Sequence, residues 1–333
     1  MRARVLVRVD GGHRRGMGHI FRMRALGLAL RDRRVEVRCC TAAGTAGERV
    51  LREASLEVDA VTDEALVPDD ALLTGHDLVI VDRLDQGEEL AALRARWSGG
   101  IVCFDDNGSG LEHADAVINA LAWHARSGSP RRARLYEGPE YVVLDERIRE
   151  QASVARPVRE RVVRLLLAFG GSDDHDLAAR VLPALSLPAL ESATVRVHRG
   201  PACEPSAALA RALAADERAT LATDDFLDEL CAADLVLCAG GVMLHELAAL
   251  GVPTAAIAAE SPERATIRFF AERGATVDLG YEGTLDEAEL APKLSAVLRD
   301  ASARAALAGA GRRLVDGHGL LRCLAILEEL LPR

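Results

Sequence analysis

The segment from Asp10 to His19 has the composition of a ligand-binding turn. It reads Asp-Gly-Gly-His-Arg-Arg-Gly-Met-Gly-His and precedes an amphipathic stretch of helical period. Glycines such as Gly12 and Gly18 let backbone N–H groups approach a ligand closely, and the following helix directs its positive end at the same point. A cation is disfavoured there, so a neutral His19 imidazole is suited to act as a general base. A capping or solvent-exposed histidine is the alternative that the spacing leaves open.

Two further glycine turns have the same character. Gly170, Gly171 and Ser172 follow one apolar run, and Gly240 and Gly241 follow another. Each turn ends a predicted strand and begins a predicted helix, which is the geometry of an anion site. N-capping of the helix explains Ser172 and the acids after it equally well.

Acidic residues are further candidates for contact with a ligand. Glu246 lies about one and a half turns into the helix predicted after Gly241, where a carboxylate can meet ribose hydroxyls; a solvated glutamate is the alternative. Asp82 closes one apolar run, and Asp105 and Asp106 close the next. Ligands bind at the carboxyl ends of strands in open sheets, although acids there are also ordinary turn residues.

The elements that position these residues follow from the alternation of apolar runs with amphipathic stretches. This rhythm predicts an α/β fold with parallel sheets covered on both faces. The alternation of strand-like and helix-like segments pauses between about 120 and 160 and then begins again. We therefore predict two Rossmann-like, doubly wound domains facing each other across a cleft, at 1–155 and 156–333. The second ends in helices from about 284. The predicted strands lie near 3–9, 34–40, 57–61, 78–82, 101–104, 161–169, 193–198, 234–238 and 253–258.

Composition narrows the classes of partner. The chain of 333 residues has a formal net charge of -10 and no basic tract, which argues against nucleic acid. No apolar run has membrane-spanning length, so we predict no membrane insertion. The 7 cysteines show no CxxC spacing, and several lie in apolar runs; we predict reduced core thiols and a cytoplasmic protein. No metal-ligand spacing and no GxSxG signature occur, so we predict no metal and no cofactor.

The motifs together resemble one family. Arg8 to Gly12 and Gly16 to Arg22 are similar to the R-x-D and G-x-G-H-x-x-R opening of the PseG/SpsG family. Its members include UDP-2,4-diacetamido-2,4,6-trideoxy-altropyranose hydrolases and spore-coat polysaccharide proteins. The resemblance covers residues 3 to 275, in order, and implies a GT-B-like fold similar to that of MurG-type glycosyltransferases. The other matching segments are 104–106, 138–141, 169–173, 240–246 and 251–253.

The resemblance implies roles for single residues. His19, with Asp10, matches the catalytic group, and His19 would deprotonate the water that attacks the anomeric carbon with inversion. Glu246 matches the acid that holds the ribose, and the backbone at Gly240 and Gly241 would receive the leaving diphosphate in the carboxyl-terminal domain. The further residues assigned to substrate are Gly12, Gly18, Arg22, Asp82, Asp106, Gly170, Gly171, Ser172, Val242, Met243 and His245.

Four departures from the family pattern leave the substrate open. Val242 and Met243 replace a hydroxyl pair, and His245 replaces an aromatic residue or Asn. Residues 83–85 replace a segment that carries Tyr, and residues 260–263 replace an Asn-Gln pair. The base loop is therefore kept, while the phosphate pocket and the sugar-facing wall are altered.

Three functions follow, and the first is favoured because the family members that the chain resembles use water as the acceptor. The first is a metal-independent, inverting hydrolase of a UDP-sugar, with a role in carbohydrate biosynthesis. The second is an inverting GT-B glycosyltransferase that uses a small acceptor. The third is a nucleotide-sugar binding protein without activity. The sugar, the base, the acceptor, the pathway and the oligomeric state stay open.

Overall fold

The computed structural model describes residues 2–12, 16–62, 70–83, 87–121 and 132–332, and the chain forms two compact units. The first unit combines Met1–Glu146 with His318–Arg333, and the second is Arg147–Gly317. Each unit contains one parallel β-sheet with helices, so the predicted fold class is confirmed. The predicted cleft between the units stays a prediction.

Thirteen strands and thirteen helices are assigned within the described residues. Among them, no helix is both long enough and apolar enough to cross a bilayer. The strands are β1 Arg4–Val9, β2 Glu36–Ala42, β3 Glu57–Val61, β4 Leu78–Asp82, β5 Gly100–Phe104, β6 Ala116–Asn119, β7 Arg134–Glu137, β8 Arg164–Ala168, β9 Thr194–Val197, β10 Ala219–Leu221, β11 Leu235–Cys238, β12 Thr254–Ala258 and β13 Val277–Tyr281. The helices are α1 Gly18–Asp32, α2 Ala46–Glu53, α3 Asp70–Leu73, α4 Gly87–Arg96, α5 Glu146–Ala152, α6 Leu177–Ala184, α7 Ala207–Ala215, α8 Phe226–Ala232, α9 Val242–Leu250, α10 Glu263–Glu272, α11 Leu290–Arg299, α12 Ala301–Leu314 and α13 Gly319–Glu328.

The two sheets share one strand plan. The first sheet has the order β3-β2-β1-β4-β5-β6-β7, and the second has the order β10-β9-β8-β11-β12-β13. Their central strands are buried on both faces, as Val5, Leu6 and Val7 of β1 show, because helices cover both sides of a parallel sheet. In each sheet the order reverses beside its first strand, between β1 and β4 and between β8 and β11. Such a reversal is a topological switch point, where open α/β sheets bind ligands.

The short edge strands differ from the sequence prediction. The rhythm predicts a pause between 120 and 160, but β7 lies inside that interval and extends the first sheet beyond β6. β10 and β13 are also additional strands of the second sheet. β7 and β10 are short and partly exposed, and β13 contains Asp278 and Gly280, so these strands lack the continuous apolar runs that mark the central strands.

The last helix belongs to the first unit, which differs from the predicted domain at 156–333. A Cβ added at Gly319 would lie 2.0 Å from the carbonyl oxygen of Val142. The Cys323 thiol donates to the carbonyl oxygen of Tyr141 at 3.3 Å. Close backbone approach and a buried face therefore fix α13 to the end of the first unit.

The cysteines confirm the prediction of core thiols. All are free, and five of the 7 are buried. Burial raises the pKa of Cys39 and of Cys323 to about 12, so both are protonated thiols at neutral pH. The buried cysteines are Cys39, Cys40, Cys103, Cys238 and Cys323.

Candidate active site

The switch point of the first sheet brings the ends of β1 and β4 together. Val9 pairs in parallel register with Asp82, so the glycine loop that leaves β1 begins beside the Asp82 carboxylate. The loop is drawn together by a hydrogen bond from the Gly12 N–H to the Gly16 carbonyl, 3.0 Å long. Gly16 has a φ of 69°, a left-handed conformation that favours glycine. Residues 13–15 of the predicted loop lie outside the described residues.

His19 stands in the first turn of α1 with one ring nitrogen bound. Its Nδ1 lies 2.7 Å from Oδ1 of Asp82, and its side chain is 24% exposed while that of Asp82 is fully buried. Arg22 Nη2 also lies 3.1 Å from this Nδ1, but one nitrogen cannot donate and accept at once. The shorter contact, to an ionised carboxylate, favours the tautomer with the proton on Nδ1. Nε2 then carries the lone pair, and no described residue forms a hydrogen bond with it.

Arg22, one turn further along α1, clamps the carboxylate that holds His19. Its Nε donates to Asp82 Oδ2 at 2.5 Å, and its terminal nitrogens donate to Asp82 Oδ1 and Asp105 Oδ2. Burial opposes the charge of the guanidinium, but Asp82 and Asp105 outweigh it and raise the pKa of Arg22. Burial likewise disfavours an ionised Asp82, but Arg22 and His19 hold its pKa below the usual range. Asp82 is therefore a fixed anion beside the imidazole.

Asp105, and not the predicted Asp106, joins this network. Its second oxygen accepts hydrogen bonds from the backbone N–H groups of Ala120 and Leu121, at 2.9 and 3.0 Å. Asp106 Oδ1 instead accepts from the Gly108 N–H at 3.0 Å and so shapes its own loop. We name the series His19, Asp82, Arg22 and Asp105 the imidazole relay. Both acids follow β5 directly, so the sequence does not distinguish them.

Asp10, predicted to act with His19, is held by another set of partners. Its Oδ1 accepts from Arg8 Nη1 at 2.6 Å and from the Ala42 N–H at 2.9 Å, and Arg83 Nε lies 3.3 Å from Oδ2. Burial raises the pKa of Asp10, but the paired Arg8 outweighs it, and the net pKa lies below the usual value. Asp10 thus ties the start of the loop to β2. Within the described ranges, no three His, Cys, Asp or Glu side chains are grouped to hold a metal ion.

The switch point of the second sheet carries the two other predicted turns. After β8, Gly170 has a φ of 93°, and the Asp173 carboxylate accepts from the first N–H groups of α6. These bonds, to Leu177 N at 2.8 Å and Ala178 N at 3.1 Å, make Asp173 rather than Ser172 the residue that caps α6. Burial raises the pKa of Asp173 above its usual value in spite of these bonds.

Gly171 packs against the turn that follows β9. Its carbonyl accepts from the Ala202 N–H at 2.9 Å, and a Cβ added at Gly200 would lie 2.4 Å from the Gly171 backbone. His198 follows β9 at the same edge of the sheet and stacks on Phe226, with 4.0 Å between ring centroids. Burial lowers the pKa of His198 to about 4, so this imidazole is neutral at physiological pH. Sequence reasoning missed His198, whose one available signal is its place at a strand end.

The glycine turn after β11 has a carboxylate against it. No side chain caps α9 at Gly241, and a Cβ added to Gly241 would lie 3.2 Å from Oε1 of Glu263. Oε2 of Glu263 accepts from the N–H groups of Ala259 at 2.8 Å and Glu260 at 3.3 Å. Burial raises the pKa of Glu263, and these amides with the Gly240 amide oppose the rise without cancelling it.

Helix α9 separates its predicted substrate residues by face. His245 is fully buried, its Nδ1 lies 3.1 Å from the Gly241 carbonyl oxygen, and its ring meets the Phe270 ring edge-to-face at 5.0 Å. Met243 and Glu246 are partly exposed on the same helix. Val242 is buried. The side chains of His245 and Val242 therefore lie in the interior, and the predicted contacts of α9 with substrate stay a prediction.

Comparison with known proteins confirms the predicted resemblance and the GT-B fold. No family model matches the chain. The spore coat polysaccharide biosynthesis protein SpsG of Bacillus subtilis is 29% identical, and the match covers 96% of this chain and 96% of that protein. The chain is thus a divergent relative of SpsG over nearly its whole length.

Three solved structures share the fold at low identity. MurG of Acinetobacter baumannii superposes with a TM-score of 0.65 at 14% identity, over 99% of this chain and 100% of MurG. The spinosyn forosaminyltransferase SpnP gives 0.66 at 18% identity, over 98% and 99%. MnaA of S. aureus, solved with UDP, gives 0.64 at 12% identity, over 98% and 96%. At these identities the structures establish the fold alone.

Proposed function

We propose that this protein is an enzyme that cleaves the anomeric C–O bond of a nucleotide sugar, with His19 as general base and water as the nucleophile. The contact that carries the proposal is the 2.7 Å hydrogen bond between His19 Nδ1 and buried Asp82. It fixes the tautomer in which the partly exposed edge of the imidazole, Nε2, accepts a proton. The similarity to SpsG supports a sugar substrate, and the fold shared with UDP-bound MnaA supports UDP as the nucleotide.

The proposed reaction is a single displacement. Water attacks the anomeric carbon as the bond to the diphosphate oxygen breaks, and the proton of the water passes to His19 Nε2. The electron pair of the broken bond leaves on the nucleoside diphosphate, and the sugar is released with inverted configuration. Asp82 stays ionised throughout, since Arg22 holds its charge, and it stabilises the imidazolium that forms. In this proposal, the glycine turns of the second unit receive the diphosphate and Glu246 the ribose.

Transfer to an acceptor is the second candidate. The same Nε2 lone pair can deprotonate an acceptor hydroxyl in place of water, and the fold is shared with a forosaminyltransferase. Binding without turnover is the third. These candidates differ in what is released and when, so one assay separates them.

The test measures nucleotide release from a panel of UDP-, dTDP-, GDP- and CDP-sugars by ion-exchange chromatography, with and without alcohol acceptors. Release that needs no acceptor supports hydrolysis, and release that needs one supports transfer. His19→Ala should reduce kcat about 10³-fold because a positioned base contributes roughly that factor. His113→Ala is the matched control, since His113 belongs to the same unit but precedes the amino end of β6. Turnover by His19→Ala at the wild-type rate would refute the assignment, and ligand binding without turnover would identify a binding protein.

A further inference from the structure

We propose that Glu263 is a built-in competitor of the leaving diphosphate: its carboxylate lies against the Gly240–Gly241 turn and weakens the binding of phosphate there. The inference rests on the proposed function and adds a residue that sets nucleotide affinity and the release of product. It concerns a residue that stands outside the predicted set of site residues.

Glu263 lies directly beside the Gly240–Gly241 turn. Oε1 of Glu263 lies beside Gly241, the residue that precedes α9, since a Cβ added there would be 3.2 Å from this oxygen. A Cβ added at Gly240 would lie 2.8 Å from the Cβ of Glu263. The absence of side chains at Gly240 and Gly241 is therefore what admits the glutamate to the turn. An anion that approaches the first amides of α9 meets a carboxylate already in place.

The amino end of α9 differs from that of α6. There the Asp173 carboxylate binds the first N–H groups of the helix itself, so that helix end is capped by the chain. At α9 the residue that precedes the helix is Gly241, which has no side chain to form such a cap. Glu263 instead accepts hydrogen bonds from the amides of Ala259 and Glu260, at the end of β12, and from the Gly240 amide in the turn itself. The amides of α9 thus stay directed at a site whose neighbour is negatively charged.

An ionised Glu263 and a bound phosphate carry charge of the same sign. Two anions in contact repel each other strongly where water is partly excluded. Arginines neutralise Asp10 and Asp82 in the first unit, whereas no arginine among the described residues forms an ion pair with Glu263. A bound diphosphate and an ionised Glu263 are therefore mutually unfavourable. The nucleoside diphosphate carries more negative charge after bond cleavage than the nucleotide sugar carries before it. Glu263 therefore repels the product more strongly than the substrate, which favours release of the product.

The experiment compares three proteins by titration calorimetry with UDP and with inorganic pyrophosphate, in metal-free buffer at pH 7.5. Glu263→Gln keeps the shape and removes the charge, and it should bind both ligands about tenfold more tightly. Glu272→Gln is the matched control, because Glu272 lies at the far end of the same helix, α10, and is exposed. Solvent screens that charge, so its removal should change the Kd by less than about twofold.

The outcomes are distinct. Equal or weaker binding by Glu263→Gln than by the wild type overturns the inference, while wild-type turnover would leave the proposed function intact. Failure of wild type and variant alike to bind UDP or pyrophosphate overturns both. Binding by the variant alone supports the inference. If Glu263→Gln does not fold, as judged by circular dichroism, Glu263→Ala replaces it with the same expectation.

Discussion

The two switch points of this molecule have the same topology and different chemistry. In the first unit, side chains of opposite charge are joined end to end in the imidazole relay, and the relay ends on backbone amides at Ala120 and Leu121. In the second unit, the turns after β8 and β11 are built of glycines, and the carboxylate of Glu263 lies against the turn after β11. Topology therefore fixes where a ligand can bind, whereas the side chains that meet there decide whether the place suits a proton or an anion.

The pKa values of the carboxylates in the two regions are shifted in opposite directions. Burial disfavours ionised Asp10 and Asp82, but arginines outweigh it and lower the pKa of each. Burial also disfavours ionised Asp173 and Glu263, and amides alone do not outweigh it, so the pKa of each is raised. An ionised carboxylate is therefore stabilised by arginine in the first region. In the second region it raises the free energy of the folded protein.

The largest effect is expected from Asp82→Asn. The amide cannot stabilise an imidazolium and leaves Arg22 without its bidentate partner, so kcat should fall about 10²- to 10³-fold. Steady-state nucleotide release measures the loss. UDP affinity, measured by calorimetry, should stay unchanged if the second unit holds the nucleotide.

Asp115→Asn is the control for lost stability. Asp115 also binds two arginines, Arg94 at 2.5 Å and Arg132 at 2.8 Å, but it precedes the amino end of β6. Its loss should lower the unfolding temperature and leave kcat within about twofold of the wild type. Equal losses of kcat in Asp82→Asn and Asp115→Asn would show that the effect is structural.

Gly200→Ala should destabilise the second switch point by about 1–3 kcal/mol. The added methyl group would meet the Gly171 backbone at 2.4 Å, and backbone cannot move aside as a side chain can. Gly309→Ala in α12, where the nearest atom is 3.4 Å away on Arg313, should instead stabilise by about 0.5–1 kcal/mol. Urea unfolding of both variants measures the difference, and a stability of Gly200→Ala equal to the wild type would contradict the close packing of the two turns.

Asp105→Asn tests the far end of the imidazole relay and should lower kcat about tenfold. Removal of this charge leaves the Arg22 guanidinium less neutralised near His19, which disfavours a cationic imidazole. The acidic limb of the kcat/KM profile should therefore move to lower pH, a shift that a purely structural role would not produce. An unshifted profile with reduced kcat would exclude Asp105 as a positioning residue.

The smallest effect concerns the dependence of stability on pH. Because the pKa of Glu263 is raised in the folded state, its charge costs stability at pH 7.5, and the cost disappears as pH falls through that raised value. Glu263→Gln should therefore raise the unfolding temperature at pH 7.5 by about 2 °C, and the gain should vanish toward pH 4. Asp82 has a lowered pKa and stabilises above its usual range, so the penalty of Asp82→Asn should shrink as pH falls below about 4. Differential scanning calorimetry between pH 3.5 and 8 checks both signs, and a penalty for both variants at pH 7.5 would refute the contrast.

The sequence predicts the central strands and the base loop well, because buried parallel strands are continuous apolar runs and a glycine turn before a helix is a local signal. It cannot choose between Asp105 and Asp106, since both follow β5 and only the position of Arg22 decides. It assigns His245 to the substrate site, whereas the rotation of α9 turns that ring toward Phe270. The contact of Glu263 with the Gly240 turn joins residues that follow two different strands, β12 and β11. Such outcomes depend on tertiary packing, which no local pattern encodes.

The return of α13 to the first unit affects the order in which that unit can fold. Residues 318–332 follow the whole second unit along the chain, so the helix that packs on Tyr141 and lies against α1 is synthesised well after the sheet of its own unit. Folding that proceeds from the amino terminus during translation can form the first sheet early, yet its docking surface for α13 stays bare until then. The helix that carries His19 thus gains this support only after the second unit has been synthesised, and a chain cut within the second unit would lack it.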